Sequence, residues 1–319
     1  MAAKNRPNEL YIDRIYDAPV KMVWDAWVDP KQVAKWWGPR GFTLTTKSKD
    51  VKPGGQWIYT MHGPDGVNYS NITTFHEVEK YSRLVYDHGA NENQPPLFRV
   101  TVNFTEVGGK TKMEMTIALA TAEAAKETKK FIKAAGGNST WDRLAEYLSE
   151  QKDQKDIFIT NRSFEAPINV IFDMWADPNH FSKWLGPKGS SMTFIKADIK
   201  AGGTNFYRMI AGDLVMYGKI SYKEITKPNR IVYTQIFCDE NEKISRHPMA
   251  PTWPETMLTT VTLTEEGPQQ TLVTIKWEVY GDATDVERQT FHNEKPGMTQ
   301  GWGGSFDTLE EYLLERKNS

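Results

Sequence analysis

The sequence predicts an α+β protein made of two tandem copies of one domain, and three observations carry that reading. Ala18-Pro19, Asp29-Pro30, Lys35-Trp36 and Gly38-Pro39 recur 148 residues later as Ala166-Pro167, Asp177-Pro178, Lys183-Trp184 and Gly186-Pro187. Four coincidences at one offset mark a duplication. Helical periodicity opens and closes each copy, whereas alternating apolar positions and glycine-rich turns fill the middle. Finally, 319 residues suffice for two domains of ordinary size, each able to bury a core without disulfides or metal. The expected division is 1–150 and 151–319.

Residues 9–16 carry Leu10, Ile12 and Ile15 and are expected to form a strand. Pro19 then stands where a helix begins, because proline in the first turn forfeits no needed hydrogen bond. Val20, Val23, Trp24 and Trp27 follow at i, i+3, i+4 and i+7, one apolar helical stripe. Asp29-Pro30 stops that helix, since proline pushes its predecessor out of the helical region. The same Asp29 can cap a second short helix bearing Val33, Trp36 and Trp37, ended by Gly38-Pro39.

From 42 to 117 the signals are strand and turn. Residues 42–48 form one strand, Pro53-Gly54-Gly55 a tight turn, and Trp57, Tyr59 and Met61 alternate with Ile58, Thr60 and His62. Gly63-Pro64-Asp65-Gly66 marks a hairpin. Residues 69–78 and 83–88 make the next pair, and 91–96 a loop. Phe98, Val100, Val102 and Phe104 then share one face, before a turn at Gly108-Gly109 leads to Met113, Met115 and Ile117. That is six or seven antiparallel strands in a meander. Residues 122–135 are a good helix former, broken or kinked at Gly136-Gly137, and Trp141, Leu144, Tyr147 and Leu148 stripe a closing helix. The charged tract 151–156 is the linker.

The second copy repeats the plan. Tyr207 and Met209 answer Tyr59 and Met61, and Val215, Tyr217 and Ile220 answer Val67, Tyr69 and Ile72 at the same offset. Glu224 and Arg230 answer Glu77 and Arg83 at 147, which places one lost residue between 220 and 224. Phe306, Leu309, Tyr312 and Leu313 mark the closing helix. The copies differ most at 238–255, a longer stretch rich in proline and charge that is a candidate lid or a longer hairpin connection.

Composition narrows the function. With 39 basic and 41 acidic residues and no basic run of five, no nucleic-acid partner is expected. The single cysteine, Cys238, excludes an intrachain disulfide framework and fits a reducing compartment. Residues 1–7 lack the apolar core of a signal peptide, and no run of 18 apolar residues could span a membrane, so a cytoplasmic location is expected.

The order strand, two helices, antiparallel sheet, long closing helix is that of the helix-grip fold. Ala-Pro-x3-Val-Trp, Asp-Pro, Trp-Trp-Gly-Pro, the Pro-Gly-Gly turn and a closing Leu-x2-Tyr-Leu helix resemble the domain named for the activator of the heat-shock-protein-90 ATPase. That domain belongs to the START-like (SRPBCC) superfamily. The resemblance covers roughly 9–150 and 157–316 and implies two helix-grip domains, each a curved antiparallel sheet wrapped around a long C-terminal helix. It also implies a cavity between sheet and helix, in which superfamily members bind lipids, hormones or polyketides, some as cyclases. The eukaryotic activator carries an additional amino-terminal domain that contacts the chaperone; with the first copy beginning near residue 9, none is expected here.

Under that reading, Trp36, Trp37, Trp57, Tyr59, Met61, Tyr69, Tyr86 and Trp141 line the first cavity. Trp184, Tyr207, Met209, Tyr217, Tyr233, Trp302 and Phe306 line the second. The same residues would equally fill a solid core. His62, His76 and His88 fall on successive strands and could converge, His62 serving with Asp87 or His88 as acid or base. No metal-ligand spacing, phosphate loop or dinucleotide fingerprint is present, so no metal or cofactor is expected. Glu77–Arg83 and Glu224–Arg230 straddle turns and are expected to pair across hairpins. The expected function is binding of a small apolar or aromatic molecule. Its rivals are a chaperone-activator-like module with a protein partner and a cofactor-free cyclase- or hydrolase-like enzyme.

Overall fold

The computed structural model describes residues 6–134, 139–152, 156–186 and 189–317; Gly136, Gly137, Pro187 and half of the predicted linker, 153–155, lie outside them. The chain divides into two compact units, Met1–Lys155 and Asp156–Ser319. The first runs β1 (Glu9–Tyr16), α1 (Val20–Val28), α2 (Pro30–Trp36), β2 (Thr43–Lys49), β3 (Gln56–His62), β4 (Asn68–Glu79), β5 (Arg83–Gly89), β6 (Phe98–Val107), β7 (Lys110–Ala118), α3 (Ala122–Ala134) and α4 (Ser139–Glu150). Its seven strands form one antiparallel sheet in the order β1-β7-β6-β5-β4-β3-β2, so the meander β2–β7 is closed at one side by β1 and leaves β2 at the other edge. The second unit has the same order in β8 (Ile157–Phe164), α5 (Ile168–Ala176), α6 (Pro178–Trp184), β9 (Ser191–Lys196), β10 (Thr204–Ala211), β11 (Leu214–Thr226), β12 (Arg230–Cys238), β13 (Thr256–Gly267) and β14 (Gln270–Val279). It ends in α7 (Asp285–Asn293) and a single long helix α8 (Lys295–Lys317). Each unit is a helix-grip domain of the α+β class.

The predicted corner between the two short helices forms as the sequence directs. Asp29 accepts hydrogen bonds from the backbone N–H of Lys31 (2.8 Å) and Gln32 (2.9 Å), with Pro30 in the first turn of α2. Asp177 does the same for Asn179 at 2.8 Å. Helices of nine and seven residues are too short to hold themselves. Tertiary burial holds them: Trp36 is wholly buried and donates its indole N–H to the Ala26 carbonyl at 3.0 Å, as Trp184 does to Met174. The Ala-Pro entry is tied down as well, because the buried hydroxyls of Thr111 and Thr271 donate to the carbonyls of Ala18 and Ala166.

One register assignment from the sequence is corrected. In the first sheet His62 pairs with Asn68, Met61 with Tyr69 and Tyr59 with Asn71; in the second, Ile210 pairs with Val215, Met209 with Met216 and Tyr207 with Gly218. The lost residue therefore lies in the β10–β11 hairpin, not between 220 and 224. The β-bulge after Phe75 recurs after Tyr222 at the shortened offset. A one-residue shift turns a strand's side chains over. Tyr217 consequently lies on the opposite face from Tyr207 and stacks on Phe206 at 5.8 Å, while Met216 occupies the place of Tyr69.

The stretch 238–255 is anchored rather than free to close. Arg246 donates to the Trp253 carbonyl and pairs with Glu287 of α7, and Trp253 packs against Trp277 and Phe291. Both Glu–Arg pairs bridge their hairpins, Arg83 to Glu77 at 2.7 Å and Arg230 to Glu224 at 3.0 Å. A Cβ on Gly218 would stand 2.2 Å from the Tyr207 hydroxyl oxygen. Gly218→Ala is therefore expected to destabilise the second domain by about 1–3 kcal/mol, read from urea unfolding.

Candidate functional site

Burial sorts the predicted residues first. Trp36 is consumed by its bond to Ala26, and Trp141 lies 8 % exposed, stacked on Trp27 at 5.9 Å. Both belong to the solid core formed where α4 packs on α1 and α2, a region the sequence reading assigned to a cavity. Met61 is partly buried behind Tyr59, and Tyr69, on the same face, sits 40 % exposed at the rim against Phe42. In the second domain Trp184, Tyr207, Tyr233, Trp302 and Phe306 are all core residues, with Met209 packed at the margin. The Tyr207 hydroxyl accepts from the Gln235 amide at 3.0 Å.

Three predicted residues do converge. Trp37, Trp57 and Tyr86 line a cavity of about 10 Å³ with Trp27, Val28, Lys49, Val51, Thr73, Phe75 and Leu84. Its walls come from α1, the residue after α2 and the inner face of β2–β5. The volume has room for about one water. The indole N–H of Trp27 is buried without an acceptor among the described residues. Tyr59 supports the wall from behind, stacking on Trp57 at 4.0 Å. Burial raises the Tyr59 and Tyr86 hydroxyls far above the ordinary tyrosine value, which keeps both neutral.

Outside this cavity, between α2 and edge strand β2, runs an open groove of about 580 Å³. Pro30, Lys31, Ala34, Leu44, Thr45, Thr46, Lys47, Ser48 and Lys49 line it. Lys49 belongs to both spaces. Its position follows from a β-bulge: Thr46 pairs with Tyr59 and Ser48 with Ile58, so the extra residue turns Lys49 inward opposite Trp57. Its ammonium nitrogen rests 3.2 Å from the centroid of the Trp57 ring. It makes no hydrogen bond or ion pair among the described residues. Burial drives its pKa well below the ordinary lysine value, outweighing the attraction of Asp29.

The segment that carries Trp37 is held from α4. Arg143 donates to the carbonyls of Trp37, Gly38, Pro39 and Phe42 at 2.8–3.3 Å, and burial lowers its pKa to about 10. Beside it Arg40 and Glu146 form a bidentate pair at 2.9 and 2.5 Å, their side chains 9 % and 6 % exposed. The histidines do not converge. His62 bonds Thr45 and Asn68, His76 pairs with Asp87 beside Arg99, and His88 stacks on Phe98 with its pKa pushed down to about 4 by burial. Among the described residues no cluster of histidine, cysteine and carboxylate could hold a metal.

The family model described as activator of Hsp90 ATPase homolog 1-like protein matches residues 17–149 and again 165–314. The chain belongs to that family, twice over. Among solved structures it is similar to protein Ms6760 from Mycobacterium smegmatis, at 29% identity over 46% of this chain and 93% of that one, with a TM-score of 0.42. A protein from Arthrobacter aurescens gives 27% identity over 45% and 87%, with a TM-score of 0.42. An AHSA1 protein from Silicibacter pomeroyi gives 15% identity over 50% and 99%, with a TM-score of 0.40. No curated protein matches the chain. No described helix is long and apolar enough to cross a membrane.

Lys49, the residue shared by groove and cavity, escaped the sequence reading. The signal was present in the repeat: Lys49 answers Ala197 and Trp57 answers Asn205, one change per strand at a facing pair. Two predictions follow from the site's electrostatics. Arg40→Met withdraws the guanidinium that neutralises buried Glu146 and is expected to cost about 3 kcal/mol in urea unfolding. Lys49→Met removes a group that binds its proton more weakly in the folded chain than in the unfolded one. Wild-type stability should therefore decline as pH falls from the ordinary lysine pKa toward the depressed one. The variant should lack that decline, so its advantage over wild type grows as pH falls below about 10.

Proposed function

We propose that the first domain binds a small apolar or aromatic molecule in the groove between α2 and β2, with its ring against the aromatic cavity behind. The observation that carries this reading is the groove itself: about 580 Å³ open to solvent, sharing Lys49 with the small cavity that Trp27, Trp37 and Trp57 line. That volume lies within the range of about 300–1,000 Å³ typical of small-ligand sites. The site thus lies beside the edge strand, not beneath the closing helix. A water-sized inner cavity demands that Trp57 or Lys49 move for a ring to enter fully. The second domain, whose aromatic residues are packed into its core, acts in this reading as a structural partner.

The family's name supplies a second reading, a module that engages a protein partner. Edge strand β2 offers unpaired backbone groups beside the same groove, and an extended segment could add to it. The two readings separate on one assay. N-phenyl-1-naphthylamine, a neutral fluorescent probe, is expected to brighten on the full chain with saturable stoichiometry near one. Ala34→Trp fills the groove from its solvent-facing wall; it should weaken that binding by about tenfold or more and change stability by less than about 1 kcal/mol. Absence of saturable binding, or binding indifferent to Ala34→Trp, would remove the small-molecule reading and leave the edge strand to be tested with peptides.

A further inference from the structure

Charge decides what kind of molecule the groove would hold. Three lysines, Lys31, Lys47 and Lys49, and three hydroxyls, Thr45, Thr46 and Ser48, line it, and no carboxylate does. The whole chain carries a net charge of only -2, so this lining is a local choice rather than a reflection of composition. Lys31 and Lys47 are exposed, whereas Lys49 is drawn over Trp57 at the boundary with the aromatic cavity. Burying an ammonium without a counter-ion is costly, and an aromatic face offsets only part of that cost. The second domain avoids it altogether. Ala197 stands in place of Lys49, and Asn205, in place of Trp57, is buried and spends its amide on the Tyr222 hydroxyl and the Asp198 backbone.

Among the described residues Lys49 has an aromatic face but no counter-ion, and the duplicate carries alanine at that position. From this arrangement we infer that the ligand of the first domain is a small aromatic or apolar monocarboxylate: Lys49 swings off the face of Trp57 to pair its ammonium with the carboxylate, and the ring takes the face it vacates. Asp29, the one carboxylate acting on Lys49, already accepts from the backbone of Lys31 and Gln32 and makes no ion pair with it. The inference rests on the small-molecule reading and adds the charge of the guest. It also makes the two domains unequal, since the second has alanine, not lysine, at the position of Lys49.

The test compares two molecules of nearly one shape, 2-naphthoate and its neutral amide 2-naphthamide, by equilibrium dialysis against the full chain. The naphthoate should bind about tenfold or more tightly than the amide, and Lys49→Met should erase that difference by weakening the naphthoate alone. Ala197→Lys in the second domain should create no site, because Asn205 provides no ring for the cation. Equal affinity for acid and amide, or a Lys49→Met variant that keeps its preference for the acid, would overturn the inference while leaving the small-molecule reading intact. If neither compound bound and the neutral probe also failed, both would fall together.

Discussion

Everything at this site depends on a tryptophan that does not line it. Trp36 closes the corner between α1 and α2 by burying its ring and donating to the Ala26 carbonyl. Without that anchor, two helices of nine and seven residues have no means of persisting in water. With it, α2 stands at a set distance from β2, and that distance is the groove. Trp184 repeats the bond to Met174, which is why the duplicated segment is recognisable after the copies have diverged elsewhere. Arg143 extends the same constraint outward by gathering four carbonyls of the segment that follows. Trp37 is thereby presented to the cavity as part of a rigid frame.

The two domains show how little sequence change separates a packed core from a site. One residue deleted from a hairpin moved Tyr217 to the outer face and put Gly218 under Tyr207. One facing pair, Lys49 with Trp57, became Ala197 with Asn205. Both domains keep the same bulge on the edge strand, so the backbone that aims a side chain inward survives in each. The side chain placed on it is what differs. Family membership accounts for the shared frame and is silent about this difference, because function resides in the site and not in the fold that carries it.

Much of the chemistry that titrates is accounted for without function. Tyr16, Tyr86, Tyr222 and Tyr233 have hydroxyls raised by burial, the ordinary consequence of lining a dense interior with phenols. Cys238 is buried, with its thiol raised by burial and neighbouring acidic side chains, the opposite of an activated nucleophile. Lys49 differs from all of these in having a cavity on one side, a groove on the other and no partner of its own.

What the sequence determined by itself were the features written in local order. The duplication, the Asp-Pro corner, the strand and helix periods and the closing stripe at Trp141 and Phe306 are each visible within a few residues, and each stands in the fold as read. Tertiary structure alone decided register and volume. A bulge after Thr46 and a shortened hairpin before Leu214 change which side chains face inward, yet neither alters the apolar pattern that announces a strand. Whether aromatic residues enclose a space or fill it depends on what meets them from the other side. Trp141 meets Trp27 and closes the gap, whereas Trp57 meets Lys49 and leaves one. Such meetings join residues far apart in the chain, and no period or motif records them.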